Sequence, residues 1–387
     1  MTVLWKPQLD EAATKWQALA DRLGRERFAP LAPELDRDQR YPWETIEALV
    51  QHKFTGLFLP TAWGGEGQSL TATVAAVETL GMHCASTAAI MCAYQLGAFP
   101  ILLAGTDPQK DFYLREMTQG RSTSFALSER VAGSDAAAIE ATAVREGDGW
   151  RIKGEKYWIG NGGASRYYVV FAKTDPAAGG RGISAFMVDK EQPGAIVDEL
   201  SDKMGIRGTQ TSNLKVDVWV ADSARIGEVN RALRLALQTL NVGRIMVSAQ
   251  SMGLALAAFR EAASRAVSRK TFGQPIGENQ GIGFKLADMA TEISAARMML
   301  YEAARAYDNS EDVSNLGAMA KLFTSEVAHR AADNAVQIWG GLGYCKPTIA
   351  ERLYRDQRIL EIYEGSSEIQ RLVLSRAIRK EAEEQAT

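Results

Sequence analysis

The sequence predicts a mainly helical protein with a β domain in its middle. An N-terminal helical domain is expected at residues 1–119, an antiparallel β sheet or barrel at 120–225, and an antiparallel bundle of long helices at 226–387. Two observations lead there: apolar residues recur at helical spacing in both outer segments, and short β-branched runs fill the middle one. Strands and helices do not alternate as a doubly wound sheet requires, and 387 residues allow two or three domains.

The N-terminal segment contains several helix signals in succession. Pro42 stands where a first helical turn tolerates proline, and the apolar residues after it share one face: Trp43, Ile46, Leu49 and Val50. A glycine-rich turn at 59–70 leads to a helix predicted at 69–81. The uncharged stretch 84–106 is interrupted by polar residues and Pro100, which favours a buried pair of helices over a membrane span.

The middle segment contains short β-branched and aromatic runs between glycine turns. Its last run alternates cleanly and predicts one buried strand face with the residues Leu214, Val216, Val218 and Val220. After it, long helices are expected at 230–270, 282–308, 314–339 and 366–384. Their short connections favour a four-helix antiparallel bundle.

Composition excludes several classes of protein. The 44 Lys and Arg residues nearly balance the 47 Asp and Glu residues, so no basic footprint for nucleic acid is expected. Three cysteines cannot form a disulfide framework, and no signal or transit pattern is evident, which predicts a cytoplasmic protein. No cluster has metal-ligand spacing, so no metal site is predicted. GxSxG, GxGxxG and Walker A motifs are absent from the sequence.

Two glycine-containing motifs could bind a ligand. SERVAGSD (128–135) combines small residues with exposed backbone N–H groups, which suits a phosphate or a carbonyl group. KYWIGNGG (156–163) places an indole beside a glycine turn and so offers a flat apolar wall. Each motif alone is equally compatible with an ordinary strand and hairpin.

Glu364 is the strongest candidate for catalysis. It follows two apolar residues and precedes Gly365, just ahead of a helix for which Ser367 and Gln370 fit a capping box. Desolvation there would raise its basicity, whereas the helix dipole would lower it. Glu364 is therefore either a general base or a first-turn acid that complements the dipole.

Together these motifs resemble the acyl-CoA dehydrogenase family over nearly the whole chain. The resemblance implies an N-terminal helical domain, a middle β barrel and a C-terminal four-helix bundle, which agrees with the pattern analysis. The matching stretches, in the family's order, are 59–67, 128–135, 156–163, 169–176, 202–208, 269–276, 284–293, 336–344 and 362–372.

The resemblance implies FAD as the cofactor, bound between barrel and bundle in a homotetramer built from two dimers. Residues expected to line the flavin in the same subunit are Phe125, Leu127, Ser128, Gly133, Ser134, Trp158, Ile159 and Gly160. Those expected to reach it from the dimer mate are Arg269, Thr271, Gln280, Gln337, Gly340 and Gly341. Ser366 and Glu368 are expected near the cofactor.

The resemblance also implies the reaction. Glu364 would remove the α-proton of an acyl thioester while the β-hydrogen leaves as hydride, and electrons would pass on to an electron-transfer flavoprotein. The residues expected to contact the substrate are Ser134, Asn241, Arg244, Tyr363, Gly365, Met91 and Tyr94. Met91 and Tyr94 would suit a short acyl chain, although both could equally be ordinary core residues.

Some positions depart from the family's usual pattern. Arg130 and Val131 stand where the family usually has Pro-Gly. Gly160 replaces a hydroxyl residue that usually hydrogen-bonds the flavin, and Asn241 replaces an acid. One subgroup carries its base at position 243, where this chain has Gly243, which favours Glu364. These departures leave open whether the group that carries the acyl thioester, here called its handle, is CoA or the pantetheine of an acyl carrier protein.

Two other readings keep the resemblance but change the function. Relatives with this fold act as flavin oxidases or monooxygenases, although these usually replace the catalytic glutamate. A non-catalytic member that binds a thioester or a partner protein is the other alternative.

Overall fold

The computed structural model describes residues 2–386 and contains three successive parts, helical, β and helical. The N-terminal helices are α1 (Glu11–Leu23), α2 (Ala29–Asp38), α3 (Trp43–Gln51), α4 (Leu70–His83), α5 (Ala85–Ala104) and α6 (Asp107–Thr118). The strands of the middle part are β1 (Thr123–Ala126), β2 (Thr142–Glu146), β3 (Gly149–Ile159), β4 (Tyr167–Lys173), β5 (Ile183–Asp189), β6 (Ala195–Leu200), β7 (Ser212–Ala221) and β8 (Arg225–Ile226).

The C-terminal part is built on long helices. They are α7 (Ala232–Ser268), α8 (Gln280–Asp308), α9 (Ser314–Trp339), α10 (Ile349–Gln357) and α11 (Ser367–Gln385). A small hairpin of β9 (Lys270–Thr271) and β10 (Gln274–Pro275) joins α7 to α8. The four predicted long helices are therefore present, with the short α10 in addition.

The buried helix pair predicted for 84–106 is wrong. This stretch is the single helix α5, which continues past Pro100. Pro100 costs the helix the one hydrogen bond that its missing N–H would make, and the apolar surface on nearly every side of the helix is buried. Both α5 and α7 are long and apolar enough to cross a bilayer, but 72% and 94% of their most apolar windows are buried inside the protein. Both are central helices of the fold.

The middle sheet has the strand order β6-β7-β3-β2-β4-β5-β8, and β1 adds to β4. Most pairs are antiparallel as predicted, but β1 pairs with β4 in parallel, as does β2 through one residue pair. β7 buries Leu214, Val216, Val218 and Val220 on one face, as its alternation predicts. The Trp150 ring contacts Phe186 across two non-adjacent strands at 5.5 Å, so the sheet folds around its own core.

The main core joins the N-terminal helices, one face of the sheet and the bundle. α7 lies at its centre, where it packs against α4, α5, α8 and α9. Gly81 and Gly253 allow α4 and α7 to approach closely, because a Cβ atom on Gly253 would lie 2.3 Å from the Glu78 carbonyl oxygen. This packing fixes α5 and α7 side by side, and the catalytic candidate lies against that pair.

Candidate active site

Glu364 lies in a tight corner between the end of the 3-10 turn after α10 and the start of α11. Its φ is +55° and that of Gly365 is +87°, so two successive residues have left-handed backbone. A non-glycine residue in this region costs of order 1–3 kcal/mol, and it persists only where neighbours hold it.

Two buried side chains hold this corner by its carbonyl groups. Gln370 on α11 donates from Nε2 to the carbonyl oxygens of Glu364 (3.1 Å) and Gly365 (2.8 Å). Lys321 on α9 donates from Nζ to the same Gly365 oxygen at 2.7 Å. The corner is thus fixed by the helices on both sides of it.

The Glu364 carboxylate points into the protein between α5 and α7. A Cβ atom on Gly243 would lie 2.8 Å from Glu364 Oε2 and 3.1 Å from a methyl carbon of Leu96. Oε2 is buried and has no hydrogen-bond partner within residues 2–386. A carboxylate oxygen without a partner in an apolar setting is a stronger base than one in water.

Burial raises the pKa of Glu364 to about 7, while the charges of Lys321 and Arg244 oppose this rise. A carboxylate with a pKa near 7 is poised to take or give a proton at neutral pH. The first-turn-acid interpretation does not account for a carboxylate whose Oε2 is buried away from solvent.

Arg244 and Asn241 lie one helical turn apart on α7 near Glu364. The Arg244 guanidinium donates to Asn241 Oδ1 at 3.0 Å, and Asn241 donates to the Ser314 hydroxyl at 2.9 Å. The Nε atom of Arg244 is buried without a partner in the described chain. The Tyr363 hydroxyl donates to the side-chain oxygen of Gln250 on α7.

The structure brings the two glycine-containing motifs together, one in the loop after β1 and the other at the end of β3 and in the turn that follows it. The Tyr157 N–H donates to the Ser128 carbonyl oxygen at 2.9 Å, and buried Lys156 donates to the Leu127 carbonyl oxygen at 3.1 Å. Lys156 also forms a buried ion pair with Glu129 at 2.6 Å. Because these bonds fix the loop after β1 onto β3, residues 128–135 and 156–163 form one surface.

This surface has room for a flat ring beside α5. Trp158 has a φ of +57° and 57% of its surface is exposed. A Cβ atom on Gly160 would meet only Ala93 of α5, at 3.7 Å, and one on Gly133 would meet nothing within 4 Å. An exposed indole beside two unobstructed glycines fits the flavin that the resemblance implies.

The remaining predictions on this surface fall in different environments. Leu127 and Ile159 are buried, Phe125 and Ser128 are half-buried, and Gly133 and Ser134 are exposed. Phe125 packs on Phe171 with ring centres 4.8 Å apart. Leu127 and Ile159 can therefore contribute mainly backbone atoms to a ligand.

The residues expected from the dimer mate lie at the far end of the bundle. Arg269 caps the end of α7, roughly 38 Å along the helix from Gly243. One chain therefore does not bring this group to the surface around Trp158. The residues of this group are Arg269, Thr271, Gln280, Gln337, Gly340 and Gly341. Thr271 is half-buried and the other five are exposed.

The predicted capping box at Ser367 is wrong, because the N-cap of α11 is Ser366. The Ser366 hydroxyl accepts from the Ile369 N–H at 3.4 Å. Gln370 cannot complete a box because the third helical residue counted from Ser366 is Ile369. Glu368 is exposed in the first turn, and the Ser366 hydroxyl is the main cause that lowers the pKa of Glu368.

Sequence reasoning missed the side chains that surround Glu364 from other helices. Leu96 is the α5 residue that reaches Gly243 and the carboxylate, whereas the Tyr94 hydroxyl donates to the Gly120 carbonyl oxygen at 2.7 Å and Met91 is buried in the core. Lys321 was also missed. A lysine among apolar residues on the inner face of a helix was the available signal.

Three domain models of one family match successive parts of the chain. The N-terminal, middle and C-terminal domains of acyl-CoA dehydrogenase match residues 10–121, 124–218 and 230–379. A 3-(aryl)acrylate reductase of Clostridium sporogenes is 40% identical over 371 residues, which cover 94% of this chain and 97% of the relative.

Solved structures of the same size also match. Butyryl-CoA dehydrogenase from Megasphaera elsdenii has a TM-score of 0.94 and 36% identity, with 97% of this chain and all of that chain covered. A chain from the structure of an electron transferring flavoprotein of Acidaminococcus fermentans has a TM-score of 0.95 and 36% identity, with 97% and 99% covered. A prolyl acyl carrier protein oxidase has a TM-score of 0.93 and 27% identity, with 96% and 100% covered. The chain belongs to the acyl-CoA dehydrogenase family and is an FAD-dependent oxidoreductase.

Proposed function

We propose that this protein catalyses α,β-dehydrogenation of an acyl thioester, with Glu364 as the base that removes the α-proton. The observation that carries the proposal is the buried Glu364 carboxylate, whose Oε2 has no partner in the described chain and whose pKa burial raises to about 7. Such a group suits proton abstraction next to a carbonyl better than a solvated carboxylate does.

The proposed reaction balances as the loss of two hydrogens. The α C–H bond breaks and its proton moves to Glu364, while its electron pair forms the new C=C bond. The β-hydrogen leaves with its electron pair as hydride, for which FAD supplies the acceptor when bound. The products are the trans-2-enoyl thioester, a protonated Glu364 and the two-electron-reduced cofactor.

The α-proton of a thioester becomes acidic only when charge on the carbonyl oxygen is stabilised. The backbone N–H of Glu364 donates to no other group within residues 2–386. Its left-handed corner is fixed by Gln370 and Lys321, so this donor is already oriented before a substrate binds. We assign it to the thioester carbonyl oxygen, so the backbone and the side chain of Glu364 would act on the same substrate.

The handle of the thioester is expected to be anionic. A cavity of about 830 Å³ lies between the end of α5, the loop after β4 and the first turns of α7, and three arginines line it: Arg181, Arg231 and Arg234. Glu228 is 4.0 Å from Arg231, while Arg181 and Arg234 have no carboxylate partner in the described part of the chain. Its nearest lining residue on α7, Gln238, is about 8 Å along the helix from Gly243, within reach of a pantetheine arm. CoA is the handle we propose, and an acidic carrier protein is the alternative.

The acyl group is expected to be short. The space around Glu364 is bounded by Leu96 and by Cys92, whose thiol donates to the Met246 carbonyl oxygen at 3.4 Å. The similarity to butyryl-CoA dehydrogenase supports the same expectation.

The remaining partners follow from the resemblance. We propose an electron-transfer flavoprotein as acceptor and a cytoplasmic homotetramer, in which the exposed group around Arg269 completes the cofactor site of a neighbouring subunit. Its separation of roughly 38 Å from Gly243 in one chain supports this arrangement.

The test is anaerobic reduction of the FAD-loaded protein by butyryl-CoA, followed through the loss of flavin absorbance. Glu364→Gln should slow this bleaching by at least a thousandfold, because the amide cannot accept the proton. The matched control is Glu326→Gln, which removes a half-exposed carboxylate on α9 that pairs with Arg371. Equally fast bleaching by Glu364→Gln would refute the base.

A second comparison addresses the handle. Butyryl groups on CoA and on carrier protein should be compared with the chain and with an Arg181→Ala/Arg234→Ala variant. Loss of charge at the cavity should raise KM for butyryl-CoA while leaving butyryl-pantetheine, which lacks the nucleotide, unchanged. Turnover of the carrier-bound group alone would overturn CoA as the handle.

A further inference from the structure

The proposed reaction leaves one buried cation near the base without a role. Lys321 lies on α9 and has no solvent exposure. A fully buried lysine is rare because removing an ammonium group from water is costly unless it is paired. Within residues 2–386 its ammonium group makes one hydrogen bond, from Nζ to the Gly365 carbonyl oxygen at 2.7 Å. No carboxylate of these residues lies within salt-bridge distance of Nζ.

The charged groups around the base come from several elements. Lys321 on α9 and Arg244 on α7 both favour the ionised form of Glu364. Cys92 on α5 and Tyr363 lie close enough for Glu364 to raise the pKa of each further, although burial is the main cause for both. Lys321 itself faces Glu364, Glu361 and Glu368 with Arg244 opposing them, and burial lowers its pKa to about 8.

The geometry separates Lys321 from Arg244. Arg244 donates to Asn241 on its own helix and makes no hydrogen bond to the corner. Lys321 donates a hydrogen bond to the carbonyl oxygen of Gly365, which directly follows Glu364 and is the second of the two left-handed residues. It can therefore act on the base in two ways, through its bond to the backbone and through its charge.

We propose that Lys321 is a positioning residue for Glu364. Its hydrogen bond to the Gly365 carbonyl holds the left-handed corner that aims the carboxylate between α5 and α7, and its nearby positive charge favours the ionised form of that carboxylate. This inference rests on the proposed role of Glu364. It explains why an ammonium group is buried at this position at all.

Two variants separate the bond from the charge. Lys321→Met removes both, whereas Lys321→Gln removes the charge and keeps an N–H donor on a side chain that is one bond shorter. Ionisation of Glu364 should be measured directly from its carboxyl infrared absorption during a pH titration, using the spectrum of Glu364→Gln as the reference. Flavin bleaching by butyryl-CoA across pH 6–9.5 gives the kinetic counterpart.

Both variants should move the midpoint of Glu364 ionisation upward by one pH unit or more. Lys321→Met should also lower the limiting bleaching rate at high pH about tenfold, because the corner loosens, and Lys321→Gln should recover most of that loss. The matched control is Lys285→Met, since Lys285 is a half-buried helix lysine that donates to Asn334 away from the site.

The outcomes distinguish the two levels of the proposal. An unchanged midpoint in both lysine variants, in a protein whose bleaching still depends on Glu364, would overturn the role of Lys321 alone. Rapid bleaching by Glu364→Gln would instead overturn the proposed function. If Lys321→Met does not fold, Lys321→Gln carries the test through its midpoint.

Discussion

A Cβ atom on Gly243 would lie 2.8 Å from Oε2 of Glu364. The absence of a side chain at this position of α7 therefore leaves space for the carboxylate, which comes from the segment between α10 and α11. The two residues are 121 positions apart in the sequence. A methyl carbon of the neighbouring Leu96 on α5 lies 3.1 Å from the same Cβ position, so α5 bounds this space on another side.

The first prediction concerns Gly243→Ala. The added methyl group should displace the carboxylate and lower the rate of flavin reduction by at least tenfold, because small shifts of a reacting group cost catalysis heavily. Helix propensity should meanwhile favour alanine by up to about 1 kcal/mol, so the melting temperature should not fall with the rate. Stopped-flow bleaching and calorimetry measure the two effects.

The control for this variant is Gly283→Ala on α8, where the new Cβ would meet its nearest neighbour at an ordinary 3.8 Å. It should leave the rate unchanged. If Gly243→Ala also bleaches at the original rate, the carboxylate does not occupy this space during the reaction.

The second prediction concerns pH. A base must be ionised to act, and burial raises the pKa of Glu364 to about 7. The bleaching rate should therefore fall as the pH drops through about 7, and it should level off above about pH 8. A rate that stays constant down to pH 5 would contradict the raised pKa.

The third prediction is that Glu364 destabilises the folded protein at high pH. Its pKa is about 7 when folded and near 4.5 when unfolded, so the folded state binds more protons between these values and stability falls as the pH rises. Above pH 7 the cost is about 3 kcal/mol. Glu364→Gln should thus be more stable than the parent chain at pH 8.5.

At pH 3.5 this advantage of Glu364→Gln should nearly disappear, because the side chain is then mostly neutral in both states. Urea unfolding at the two pH values measures the difference. The Glu326→Gln control should show no comparable pH-dependent gain, since its carboxylate is half-exposed and paired with Arg371.

The fourth prediction concerns the buried pair of Lys156 and Glu129. Glu129 also accepts from the Glu140 and Ala141 N–H groups, at 2.5 and 3.1 Å, so it ties the loop after β1 to the barrel. Lys156→Met leaves this carboxylate buried without its cation and should cost about 3–5 kcal/mol. The protein should also retain less FAD after gel filtration.

Lys153→Met is the matched control on the same strand, because the Lys153 side chain is 72% exposed. It should change stability by less than about 0.5 kcal/mol and leave FAD content unchanged. Equal effects of the two variants would mean that the buried pair does not organise the loop.

The fifth prediction concerns Gly160, where relatives usually have a hydroxyl residue beside the flavin. A Cβ atom there meets only Ala93, at 3.7 Å, so threonine fits. Gly160→Thr should change the flavin midpoint potential and speed bleaching roughly two- to tenfold, the value of one hydrogen bond. Gly160→Val has a similar shape without the hydroxyl and should change neither the flavin midpoint potential nor the bleaching rate.

Much of the fold could be predicted from the sequence because its patterns are local. The alternation of β7 follows from burial of one face and is confirmed, and the four long helices lie close to their predicted bounds. The stretch 84–106 was mispredicted because a helix buried on nearly all sides has no polar face to mark its length. The capping box failed because Ser366 and Ser367 are adjacent, and the N-cap is Ser366, whose hydroxyl accepts from the Ile369 N–H.

The sequence by itself determined the family, the three-part fold and the candidacy of Glu364, since motifs and periodicity are carried by neighbouring residues. Only the tertiary structure decided what surrounds that carboxylate. Gly243, Leu96 and Lys321 come from three different helices, and no local pattern links them to position 364. Burial and charge at one point in space depend on how those helices pack, and these two quantities set the basicity of Glu364.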